Sequence, residues 1–162
     1  MDEITFIGSG NIATQLGIAF YKKNIKIKQI ISRNKESGKI LASKLKSNYS
    51  DDVKLIQKTD LIIIAVQDDN IKEIIKNVPN YPIVHTSGNT NINALKDKSN
   101  YGVIYPVQTI KKGNETDFKK IPICIEANNI KFQNSLFKLV DKISLNTILL
   151  SSKQRQYVHI AA

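Results

Sequence analysis

Cysteine is nearly absent from this sequence. Cys124 is its only thiol, which excludes an internal disulfide and a cysteine zinc cluster. Its place in the apolar stretch IPICIEA, Ile121 to Ala127, suits a buried and inert side chain. The two histidines, His85 and His159, are too few and too far apart to make a metal site, and none is expected. No apolar run is long enough to cross a bilayer, and Met1-Asp2-Glu3 leads at once into a strand rather than a signal peptide. A cytoplasmic location with no membrane partner is the expectation. Acidic residues are also scarce, 14 against 24 lysines and arginines, for a net charge of +10. The lysines are scattered, however, and neither an RNA-binding aromatic motif nor a DNA-reading helix signature accompanies them, so no nucleic-acid partner is expected. With 41% hydrophobic and 23% charged residues in 162, the chain is globular and sized for one ordinary domain.

What the chain does have is concentrated at its start. In ITFIGSGNIA, Ile4 to Ala13, a short apolar strand runs into Gly8-x-Gly10-x-x-Ala13 and then into a helix whose apolar residues Ile12, Leu16, Ala19 and Phe20 recur at helical spacing. Each small residue answers a different need. Gly8 permits the tight turn, Gly10 lets backbone approach a pyrophosphate, and Ala13 keeps helix and strand close. A helix beginning near Asn11 aims its free amide groups and the positive end of its dipole at phosphates. Such a glycine pattern is weak alone, and the strand before it and the helix after it are what make it a dinucleotide signature.

The same alternation continues. Strands are expected at Ile25 to Ser32, at Tyr49, and at Asp60 to Val66, the last a continuous apolar run fit for a central parallel strand. Others follow at Ile83 to Thr86, Gly102 to Tyr105, Pro122 to Ala127 and Asn146 to Leu150. Helices are expected at Lys35 to Lys46, Asp69 to Val78 and Ile130 to Ile143. Shorter ones are read at Asp51 to Thr59, with Val53, Leu55 and Ile56 inward, and near Ile92 to Lys96. This rhythm predicts an α/β fold: a doubly wound, mostly parallel, Rossmann-type sheet with helices on both faces. Residues 1–150 form its nucleotide-binding domain. Residues 151–162 read as the start of a helical domain that is cut short, with Ser151-Ser152 as the cap and Tyr157, Val158 and Ile160 seeking a partner, either the sheet or a second copy.

In such sheets ligands lie beyond the carboxyl ends of the strands, so the residues just after each strand are the candidates. Gly8, Ser9, Gly10, Asn11 and Ile12 would hold the pyrophosphate. After the second strand come Ser32, Arg33 and Asn34, with no acid to accept ribose hydroxyls, and Arg33 has the planar fork that suits a 2'-phosphate. That favours NADP over NAD. Ala65, Val66 and Gln67 would flank the cofactor by backbone, whereas Asp68 and Asp69 read simply as a helix start. Thr86 and Ser87 would meet the nicotinamide ribose. His85, Tyr105 and Gln108 are the candidates on the substrate side, as proton or hydrogen-bond donors, although a structural histidine and ordinary loop chemistry would equally account for them.

The stretches GSGNIA, AVQDD, HTSG (His85 to Gly88), GVIYPVQT (Gly102 to Thr109) and IPICIEA together resemble one family. It comprises Rossmann-like oxidoreductases with a C-terminal helical domain of unknown function, relatives of pyrroline-5-carboxylate reductase and the deazaflavin-dependent NADP reductases. The resemblance implies NADPH-dependent reduction of a small carbonyl or imine substrate. It also implies a homodimer built through the C-terminal helices and a cleft faced by Lys153, Arg155 and His159. The alternative is a non-catalytic nucleotide-binding or interaction domain.

Overall fold

A computed structural model describes all of residues 1–162. Its chain order is β1 (Glu3–Ile7), α1 (Asn11–Lys22), β2 (Lys26–Ile31), α2 (Lys35–Lys44), β3 (Asn48–Ser50), β4 (Leu61–Ile64), α3 (Asp68–Ile75), β5 (Ile83–His85), β6 (Tyr101–Pro106), β7 (Ile123–Ala127), α4 (Ile130–Val140), β8 (Thr147–Leu149) and α5 (Ser152–Ala161). Three 3-10 turns, at Val53–Leu55, Ile92–Leu95 and Phe118–Lys120, fill connections. The eight strands form one sheet in the order β3-β2-β1-β4-β5-β6-β7-β8. Every pairing is parallel except β6 with β7.

The apolar run of β4 shows why the sheet is covered on both sides. Leu61 and Ile63 pack into a large cluster with α1, α2 and α4, while Ile62 and Ile64 face a second cluster with Ile71 and Ile75 of α3 and Leu95. All four side chains are fully buried, and removing each from water contributes about 2 kcal/mol. A strand with both faces in the core has no polar positions, and that is the pattern its sequence shows.

The chain leaves β1 on one side toward β2 and returns on the other through β4, so the strand order reverses between them. Loops after β1 and β4 therefore diverge and leave a crevice at the carboxyl edge of the sheet. The doubly wound α/β sheet expected from the sequence is the fold observed. Two local expectations fail. Asp51 to Thr59 forms only a 3-10 turn at Val53–Leu55, and Leu55 is 62% exposed rather than inward. The Asp52 carboxylate caps the turn by accepting the Lys54 N–H at 2.9 Å, the chain is already extended at Ile56, and of the three apolar residues Ile56 is buried and Val53 packs against the core as expected.

Candidate functional site

A cleft of about 1030 Å³ opens where the strand order reverses. Gly8, Ser9, Gly10, Asn11 and Ile12 form its floor, Ser32, Arg33 and Asn34 one end, and Ala65, Val66 and Gln67 the wall beyond β4. Thr86, Tyr105, Gln108 and His159 stand at the other end.

Gly8 makes the turn. Its φ is +115°, and a Cβ there would lie 2.2 Å from the Ala65 carbonyl oxygen, so both handedness and space reject a side chain. Gly10 differs, since a Cβ on it would meet nothing within 4 Å; it borders the open space in front of α1. Of the five α-helices, α1 alone has neither a side-chain cap nor an acid in its first turn. Helices α2, α4 and α5 are capped by Asn34, Asn129 and Ser151, and α3 carries Asp68 and Asp69. The amide donors of α1 thus face the cleft with no protein acceptor, and the dipole there favours an anion.

The end near β2 is tied to this turn by hydroxyls. Ser9 Oγ lies 2.7 Å from Ser32 Oγ and 2.6 Å from Ser37 Oγ. Asn34 accepts the Ser37 N–H at 3.1 Å, so its side chain caps α2 as well as lining the cleft. Arg33 is exposed and has no carboxylate partner. Two acids that the sequence reading did not pick out, Asp51 and Asp52, also line this end. Asp51 is 3.5 Å from Lys35, and Asp52 caps its own turn.

At the opposite end the arrangement depends on α5. The Tyr105 hydroxyl lies 2.9 Å from His159 Nδ1, and the two rings meet edge to face at 5.6 Å. Gly88 makes room for them: a Cβ there would fall 2.5 Å from His159 Nδ1 and 2.7 Å from Tyr105 Cζ. Burial pushes the Tyr105 phenol above its usual range, helped by the neighbouring Cys124 and opposed by Arg155, so the hydroxyl keeps its proton.

Arg155 explains how α5 is held. It is 0% exposed and pairs with Glu126 of β7. Its Nε donates to the Ser87 carbonyl at 3.2 Å and its Nη2 to the Thr90 carbonyl at 2.5 Å. Ser152 adds a hydrogen bond to Glu126 at 2.9 Å and accepts the Ile92 N–H at 3.0 Å. The resemblance had placed Arg155 and Lys153 facing the cleft. Arg155 is instead the buried tie between α5, β7 and the loop after β5, and Lys153 is exposed outside the cleft. Of the three, His159 lines it.

His85 and Ser87 also fall outside the cleft wall. His85 is fully buried, and its Nδ1 accepts the Ser87 N–H at 3.1 Å, which assigns the proton to Nε2. That nitrogen has no hydrogen-bond partner. Burial, and then the Arg155 charge, lower its pKa to about 3, against a smaller opposing effect of the Asn91 backbone. His85 is thus sealed from the cleft, and the structure does not bring it to the substrate-side end where the sequence reading had put it. Ser87 turns its hydroxyl to the Asn89 and Thr90 N–H groups, at 3.1 and 2.8 Å, rather than to a ribose. Cys124 is buried and its thiol is pushed up by that burial, as an inert side chain should be. No group of histidine, cysteine and acidic residues is placed to hold a metal, and no helix is long and apolar enough to cross a membrane.

Comparison with known proteins agrees with this fold. A provisionally assigned NADP oxidoreductase from Bacteroides fragilis superposes with a TM-score of 0.91 at 33% identity, over 99% of this chain and 64% of that one. A protein from Thermotoga maritima gives 0.77 at 21%, over 98% and 61%. The pyrroline-5-carboxylate reductase of Streptococcus pyogenes gives 0.71 at 20%, over 93% and 59%. The chain thus spans about three fifths of the length of these structures. No curated protein matches it. Residues 3–86, from β1 through β5, match the family described as NADP oxidoreductase, coenzyme F420-dependent, and the chain belongs to that family.

Proposed function

We propose that this chain is the NADP-binding part of an oxidoreductase that reduces a small carbonyl or imine compound. The observation that carries the reading is the uncapped start of α1 facing a cleft whose floor has Gly10 open to it. That surface asks for an anion, and its shape leaves room for a chain of phosphates. Gly8, Ser9, Gly10, Asn11 and Ile12 would hold the pyrophosphate. Ser32, Arg33 and Asn34 would take the 2'-phosphate, Ala65 to Gln67 the middle of the cofactor, and Thr86 the nicotinamide ribose. The cofactor supplies a hydride when bound; the protein positions the partner and excludes competing groups. Tyr105 and Gln108 stand on the substrate side, and His159 joins them.

The preference for NADP rests on Arg33. An arginine fork on a phosphate is a charge-assisted contact of about 1.5–3 kcal/mol, and the two acids at that end are already engaged by Lys35 and by a turn. Fluorescence titration with NADPH and NADH tests this. NADPH should bind at least tenfold tighter, and Arg33→Ala should remove most of that ratio while leaving NADH within about twofold. Equal affinity for the two nucleotides in the unaltered protein would reject the NADP assignment, and binding of neither would reject the cofactor site. Binding without turnover of any carbonyl or imine would favour the non-catalytic reading for this chain.

A further inference from the structure

Resting on the oxidoreductase reading above, we infer that Tyr105 and His159 form a proton-delivering pair, with Tyr105 the catalytic donor to the carbonyl oxygen or imine nitrogen of the substrate and His159 its link to solvent. The two side chains come from elements 54 residues apart in sequence and meet in the wall of the cleft. Tyr105 is 9% exposed, while His159 is at the surface. A proton taken from water by the imidazole therefore reaches the phenol through the 2.9 Å contact without opening the site. Three features hold this geometry. Gly88 offers no Cβ to separate the rings, Arg155 anchors α5 one turn before His159, and the β6–β7 pairing places Tyr105 opposite Cys124.

The chemistry balances. As a hydride carries its electron pair to the substrate carbon, the π pair of the C=O or C=N bond moves to the heteroatom. The Tyr105 O–H bond breaks as the heteroatom takes the proton. As the His159 Nδ1 proton passes to the phenolate oxygen, Nε2 takes one from water, so the ring keeps its proton count, hydroxide is left in the solvent, and exchange with water restores the first tautomer. The reductant is a reduced nicotinamide dinucleotide, and the product is an alcohol or amine. A phenol held protonated by burial is suited to the donor role and stays out of nucleophilic chemistry. The charged and titratable groups around the pair are Cys124 on β7, Arg155 on α5 and Asp68 at the start of α3, with Glu126 occupied by Arg155.

The test uses the chain saturated with NADP⁺, which cannot reduce a ketone, and cyclopentanone as the probe. The two rings are followed by NMR at fixed pH. The His159 Nδ1 signal should carry the signature of a hydrogen bond that Tyr105→Phe removes, and His159→Gln should shift the Tyr105 Cζ signal. Cyclopentanone should shift the His159 signals and bind at least tenfold more weakly to the Tyr105→Phe variant. The exposed Lys153→Ala serves as a control that changes none of these. Binding of NADP⁺ with each ring's signals unmoved by the partner's substitution, or with ketone binding indifferent to Tyr105, would overturn the pair and leave the cofactor reading intact. Failure of NADP⁺ itself to bind would overturn both.

Discussion

The two ends of the cleft are built from different ranges of the chain. At the end proposed for the phosphates, the phosphate end, Gly8 to Ile12 and Ser32 to Asn34 are each contiguous, and the hydroxyl contacts among Ser9, Ser32 and Ser37 join two successive strand-to-helix turns. At the other end nothing is local. Tyr105 meets a histidine 54 residues away, and Arg155 reaches carbonyls 65 and 68 residues back. One end is left with unpaired donors facing open space, while the other spends its donors on a buried network. The first is fit to receive a ligand and the second to hold an element in place, with its reactive groups at the network's outer edge.

Substituting Gly8 should have the largest effect. Valine there would need a β-branched side chain at φ +115° and 2.2 Å from the Ala65 carbonyl oxygen, in a turn wedged between β1 and β4. Strain of this kind costs about 3 kcal/mol or more, and the expected result of Gly8→Val is loss of the cooperative unfolding transition in urea. Gly10→Ala makes the contrast. With nothing within 4 Å of its Cβ, that variant should unfold within about 0.5 kcal/mol of the parent and yet bind NADPH poorly, because the methyl group occupies the ligand's approach. Equal destabilisation by both substitutions would break the distinction between a turn that needs glycine and a floor that needs space.

Next in size is Arg155→Met. The substitution strands the Glu126 carboxylate, whose side chain is only 15% exposed, and removes donors from the Ser87 and Thr90 carbonyls. Breaking a buried pair in this way costs about 3 kcal/mol. Adding Glu126→Gln should recover a large part of it, since the stranded charge is then gone. Urea unfolding of the two single variants and the double variant measures the coupling. Additive losses would mean that the pair does not hold α5 as described.

How far each end could be read from sequence follows from the same contrast. GSGNIA and the acid-free Ser32-Arg33-Asn34 are local patterns, and a local pattern carries its geometry with it because a strand, a turn and a helix start are neighbours in the chain. The continuous apolar run of β4 likewise announced a strand buried on both faces. By contrast, nothing near Tyr105 signals His159, and nothing near Arg155 signals Glu126. Those pairings exist only once β6, β7 and α5 are set side by side. Polar residues emerging from an apolar strand made His85 look like a cleft residue, yet the side chain that reaches the cleft from that strand end is Thr86. Successive residues of a strand point to opposite faces, so a one-residue difference decides which of them a ligand can touch. Gly88 carried a retrievable hint, since a glycine just after a strand often marks a close approach, though not of which group.

His85 itself supplies a smaller effect with a definite sign. Its folded-state pKa is about 3, below its ordinary value of 6.5, so the native state stays neutral where the unfolded chain takes up a proton. Stability is therefore unaffected above pH 6.5 and declines as pH falls from there toward 3, at about 1.4 kcal/mol per pH unit. Between pH 7 and pH 5 the loss should be about 2 kcal/mol, before the depressed Glu3 and Asp60 carboxylates begin to protonate. In His85→Asn a carboxamide oxygen can accept the Ser87 N–H in place of Nδ1 without titrating. Urea unfolding at pH 7, 6 and 5 should show the slope in the parent and its absence in the variant; parallel slopes would mean that the buried imidazole protonates with little cost.

The smallest effect concerns the acids at the phosphate end. Asp51 lines the cleft beside Arg33 but lies 3.5 Å from Lys35, with both side chains more than half exposed. Pairing and solvent together screen its charge, so at physiological salt it should repel a 2'-phosphate by less than about 0.5 kcal/mol. Asp51→Asn would then tighten NADPH binding by no more than roughly twofold and leave NADH unchanged. Because the interaction is screened and long-range, the gain should grow when salt is lowered to about 0.01 M, where the Debye length reaches about 30 Å. A tenfold gain at ordinary salt would instead mean that Lys35 does not neutralise this carboxylate. The phosphate end would then owe its preference to a balance of opposed charges rather than to Arg33 and the helix start.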